Sequence, residues 1–138
     1  MTLKKFLKAF IAGMAFPSVF LPLAYTLLFF VEQSTLRAHT LQFIPMYIPL
    51  VFGITNVLYM HLSEGLPAKH ANTALWAMGA CLGFVVAVLG VFFIHVPTLV
   101  FGSLLDNDLA YLPLIILPII YGAIFRFIIK WLNKLLAV

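Results

Sequence analysis

Residues 7–31 read LKAFIAGMAFPSVFLPLAYTLLFFV, a run in which Lys8 is the one charged residue. As a helix rising about 1.5 Å per residue it is about 37 Å long, enough to cross a hydrocarbon core of about 30 Å. Lys4, Lys5 and Lys8 ahead of an apolar stretch resemble a secretory signal, and Ala12-Gly13-Met14-Ala15 offers small residues of the cleavage kind. The apolar run continues to Val31, too long for a signal core, so it is read as a retained first span.

Three further apolar runs follow. The expected fold is a single all-α integral membrane domain over residues 1–138, with four transmembrane helices at roughly 7–31, 41–62, 74–95 and 109–131. Polar loops separate the first three spans, at 32–40 and 63–73, and a basic tail follows the fourth. Between the third and fourth spans, residues 96–110 stay apolar but are interrupted by Pro97 and Gly102. A helix continuous from Ala74 to Leu105 would be about 48 Å long, too long for one crossing. That segment is read as interfacial, with a re-entrant course as the alternative, because irregular backbone facing lipid is costly.

Composition agrees. The 138 residues are 64% hydrophobic and 9% charged, with a mean hydropathy of +1.15, whereas a soluble domain keeps about 25% charged residues. The formal charge of +4 would suggest nucleic acid in a soluble protein. Here the basic residues stand at the ends of apolar runs, so they are read as orientation signals and no nucleic-acid partner is expected. Lys4, Lys5, Lys8, Lys69, Arg126, Lys130 and Lys134 fall on one side, and Arg37 falls on the other with Glu32, Asp106 and Asp108. That split puts both termini in the cytoplasm and suits a bacterial inner membrane.

Two motifs recur. Pro49-Leu50-Val51-Phe52-Gly53 in the second span matches Pro118-Ile119-Ile120-Tyr121-Gly122 in the fourth. Pro45 and Pro113 lie upstream, and Asn56 and Arg126 downstream. The pattern reads as two hairpins related by an axis along the membrane normal, an arrangement found in transporters, although five-residue similarity also arises by chance in so apolar an alphabet. Gly79, Gly83, Ala87 and Gly90 form a small-residue stripe on the third span, with Ala9, Gly13 and Pro17 a shorter version on the first. Such stripes let helices pack closely. Pro17, Pro22, Pro49 and Pro118 are expected helix kinks, since proline removes a backbone donor.

Few polar residues lie at depth. Asn56 cannot reach the headgroups, so it is expected to face another helix, bonding to it or lining a path. Arg126 has two readings, an anchor snorkelling to the inner headgroups or a charge facing a polar interior. Facing inward, Asn56, Tyr59, His61 and Arg126 would form a substrate path near the cytoplasmic side, with Glu64 able to pair with Arg126 instead. His39, His61, His70 and His95 do not have the facing helical placement that haem ligation wants, and Cys81 is read as a packing residue. No catalytic constellation, metal site or cofactor is expected, and the first span has no acidic residue for ion coupling.

The leading functional expectation is a homo-oligomeric transporter or channel for a small polar or anionic solute, because four helices alone enclose little space. Two readings stand beside it. One is an accessory or assembly protein that binds a membrane-protein partner through the glycine stripe. The other is a lipid- or quinone-handling membrane enzyme, for which no acid, base or nucleophile group stands out.

Overall fold

A bilayer offers no water to unpaired backbone groups, so apolar runs of this length must close their hydrogen bonds internally, as helices do. The computed structural model describes residues 2–32, 44–93 and 111–137, and these residues form helices and the turns at their ends. No strand occurs among them. The expectations for the loop after Glu32 and for the segment at 96–110 fall outside the described residues. So do His39 and His95.

The chain divides into two compact units, residues 1–64 with 129–138, and residues 65–128. The first unit contains α1 (Leu3–Glu32), α2 (Ile44–Leu62) and a short C-terminal helix, α5 (Lys130–Leu135). The second contains α3 (Ala68–Val88), which ends in a π-turn at Leu89–Phe93, and α4 (Pro113–Ile124). A second π-turn at Phe125–Ile129 follows α4.

Helix boundaries differ from the expected spans for local reasons. α1 starts at Leu3 because Thr2 caps it: the Lys5 N–H donates to Thr2 Oγ1 at 3.4 Å. At 30 residues it is about 45 Å long and exceeds the hydrocarbon core. α3 begins at Ala68, behind Pro67 at φ −56° and ψ 145°, so Lys69 to Thr73, read as loop, are helical. Pro67 stands at the N-cap, and its carbonyl accepts the Ala71 N–H at 3.0 Å, which closes the first turn directly behind it. Between α2 and α3 the chain turns at Gly65, whose φ of +90° lies where side chains are disfavoured. Pro17, Pro22, Pro49 and Pro118 all lie inside helices.

Three helices are long and apolar enough to cross a membrane, over Leu3–Ala24, His70–Phe92 and Pro113–Leu135. α2 carries a shorter apolar segment, Tyr47–Leu62. Large apolar side chains cover the outside, among them Val19, Ile115 and Phe127, each about two-thirds exposed. The buried positions include Ala9, Ala12 and Ala87, none with any exposed surface. This is the pattern of helices whose solvent is lipid, where small residues mediate close contact.

Each unit has one such close crossing, and the two use the same contacts. In the first unit a Cβ on Gly13 would fall 2.6 Å from the Phe52 carbonyl oxygen and 3.0 Å from Asn56 Cβ. In the second, a Cβ on Gly79 would fall 2.6 Å from the Tyr121 carbonyl oxygen and 2.8 Å from Phe125 Cβ. The facing glycines correspond as well, since Gly53 lies against the Phe10 ring and Gly122 against the Trp76 ring. Spacing is 66 residues from Gly13 to Gly79 and from Phe10 to Trp76, and 69 from Phe52 to Tyr121 and from Gly53 to Gly122. In this register Asn56 corresponds to Phe125, not to Arg126, and Pro45 to Leu114, not to Pro113. The Pro-to-Gly core of the repeat thus has a packing reason, while its flanking residues fall out of step.

Gly13→Leu and Gly79→Leu should each destabilise the protein by about 1–3 kcal/mol or more, because backbone stands where the new side chain must go. Ala77→Leu, on the exposed face of α3, should stay within about 0.5 kcal/mol of the parent. Unfolding titrations in mixed detergent micelles would compare the three.

Candidate functional site

The deepest polar group in the first unit is assembled from all three of its helices. Asn56, on α2, has no exposed surface, and Asn133, on α5, is 6% exposed. Their side-chain amides bond reciprocally: Asn56 Nδ2 donates to Asn133 Oδ1 at 2.8 Å, and Asn133 Nδ2 donates to Asn56 Oδ1 at 3.0 Å. The second Asn56 N–H donates to the Ala9 carbonyl of α1 at 2.7 Å. The second on Asn133 points to Met60 Sδ at 4.0 Å, a weak contact.

The Ala9 carbonyl decides this arrangement. Only the amide nitrogen of Asn56 can donate to it, so the Asn56 oxygen is turned to Asn133 and needs a donor there. A carbonyl oxygen carries two lone pairs, so Ala9 can serve its own helix and Asn56 together. One turn before Asn133 on the same face, Ile129 is fully buried. Farther out, Lys8 Nζ donates to the Leu136 carbonyl at 2.7 Å. A cation there satisfies one of the carbonyls left open at the end of α5.

The path residues expected from the sequence differ in burial. Asn56 is enclosed and its amide is fully used. Tyr59 is half-buried and His61 exposed, both in the first unit with Asn56. Arg126 belongs to the second unit, where it is exposed and its guanidinium lies 5.7 Å from the ring centre of Phe127. It stands inside the π-turn at Phe125–Ile129, a distortion found often at functional positions. Among the described residues no cluster of three or more His, Cys, Asp or Glu could hold a metal ion.

The stripe on α3 is used within the chain. Gly79, Gly83 and Ala87 are buried, and Gly90 is half-buried. A Cβ on Gly83 would stand 2.5 Å from the Leu117 carbonyl oxygen and 2.9 Å from Pro118 Cα, both on α4. Sequence reasoning reached Asn56 but not Asn133, which stood in the basic tail beyond the expected fourth span. Its one signal was an asparagine between Trp131 and Lys134 at the i+4 position from Ile129. No known protein family, curated protein or solved structure matches the chain.

A π-turn holds one residue more than the α-turn it replaces, so it absorbs an extra residue without rotating the helix beyond it. Deleting Phe127, 67% exposed within the turn, should leave Asn133 in place and cost little stability. Deleting Leu132 instead turns Asn133 by about 100° away from Asn56 and strands a buried amide, costing about 1–3 kcal/mol. Thermal unfolding of the two deletion variants in detergent checks the difference.

Proposed function

We propose that the protein has four membrane spans with both termini in the cytoplasm, resides in a bacterial inner membrane, and works as a homo-oligomeric transporter or channel for a small polar or anionic solute. The observation that carries this reading is the exposed position of Arg126 in an apolar helix. Ile124 is the central residue of the candidate span Pro113–Leu135, and Arg126 lies two residues on, about 3 Å along the axis. A charge near the centre of a span costs about 2.5–3.5 kcal/mol on insertion scales unless it meets water, a counter-charge or another helix. A path between copies of the chain would supply those surroundings, with Arg126 attracting an anion.

The shared glycine-centred contact scheme supports the companion idea of two parallel hairpins, the repeat architecture of many transporters. Asn56 drops out of the path in this reading, because its amide is committed to Asn133 and Ala9. The assembly-protein reading loses its interface, since Gly79 and Gly83 already face α4 of the same unit.

Native mass spectrometry in mild detergent should give a discrete homo-oligomer. Anion flux in liposomes should fall roughly tenfold or more in Arg126→Ala, equivalent to about 1.4 kcal/mol, at unchanged expression. Undiminished flux in that variant would assign Arg126 to headgroup anchoring and overturn its role in the path.

A further inference from the structure

The N-terminal end of the first unit gathers positive charge. Lys4 and Lys5 occupy the first turn of α1 and are exposed, and Lys8 lies one turn on. A helix N-terminus favours acidic residues, because its free N–H groups carry partial positive charge. Here the first turn has none, so cations stand where the helix dipole disfavours them. The bond from Lys8 to the Leu136 carbonyl draws the end of α5 against the same turns and brings Lys134, two residues earlier and exposed, into the group. Trp131, 59% exposed, faces outward from α5. Among the described residues no carboxylate pairs with Lys4, Lys5, Lys8, Lys130 or Lys134.

We infer that this end of the first unit is a binding site for the phosphate headgroup of an anionic phospholipid. The length of α1 places its first turns beyond the hydrocarbon core when the remainder spans it, at the depth of the headgroup phosphates. Tryptophan beside lysine is the pairing found at that interface. Lys4 and Lys5 meet the phosphate together with the Leu3 and Lys4 N–H groups, which Thr2 leaves open, and Lys134 approaches from α5. The Asn56–Asn133 pair and the Lys8 bond hold the two sides of the site together. This inference rests on a membrane location and is independent of any transport activity.

The test uses the full chain, purified in a nonionic detergent and stripped of lipid. Added phosphatidylglycerol should raise the thermal midpoint, while phosphatidylcholine and inorganic phosphate should not. In Lys4→Gln/Lys5→Gln the apparent affinity for phosphatidylglycerol should fall about 30-fold, taking each lysine near an anionic surface at about fivefold, and the shift should weaken with salt. Lys69→Gln, in the other unit, should keep the full response. Equal shifts from both lipids, or an unchanged response in the double variant, would overturn the site. A shift from inorganic phosphate alone would make it a soluble-anion site and overturn the lipid assignment. Should the double variant fail to fold, native mass spectrometry of the parent decides: a retained phosphatidylglycerol supports the site, and preferential retention of phosphatidylcholine refutes it.

Discussion

The reciprocal amide pair between Asn56 and Asn133 is the interaction on which the first unit depends. It is the point where α1, α2 and α5 meet through polar atoms, since Asn56 also donates to the Ala9 carbonyl of α1. Apolar side chains cannot hold α5 there by themselves, because lipid tails solvate them as well as another helix does. A fully satisfied amide pair is different: separating its members leaves two N–H groups and two oxygens without equivalent partners nearby. Such pairs contribute on average about 0.6 kcal/mol and up to about 1.7 in membrane proteins, because the separated helices also find partners. That modest sum fixes a specific register, and the Lys8 bond to Leu136 extends it to the surface.

Close contact between the long helices has a second source. Gly13 and Gly79 each bring one helix backbone against the carbonyl of its neighbour, at Phe52 and at Tyr121. Dispersion and packing act only at contact distance, so removing the side chain at the crossing admits the many small attractions that apolar association in lipid relies on. One solution serves both hairpins, with an aromatic ring (Phe10 or Trp76) covering the opposing glycine. The hairpins diverge three residues beyond that glycine. There Asn56 gives the first a polar partner for α5, and Phe125 gives the second a fully buried ring.

Much of this was legible in the sequence, and the misses have physical causes. Apolar runs of span length announce helices because the bilayer leaves few alternatives, and Asn56, too short to reach water, had to face another helix. Gly79 and Gly83 stood out through their spacing of four. Gly13 carried the same role with less notice, because its partner glycine lies on a different helix. Asn133 was hidden by its neighbours, since Trp131 and Lys134 mark a membrane boundary and draw attention to the surface. The π-turn at Phe125–Ile129 decides which face Asn133 presents, and hydrophobic periodicity does not encode such an insertion. Residues 69–73 look like a loop by composition, yet Pro67 starts a helix there.

A double-mutant cycle at Asn56 and Asn133, read by reversible unfolding in mixed micelles, measures the coupling between the two amides. Asn56→Leu and Asn133→Leu should each destabilise by about 1–3 kcal/mol, since each strands a buried amide. The double variant should recover part of that loss, giving a coupling energy of about 1 kcal/mol. Strictly additive losses, or single variants as stable as the parent, would contradict the claim that this pair fastens the C-terminal helix to the N-terminal hairpin.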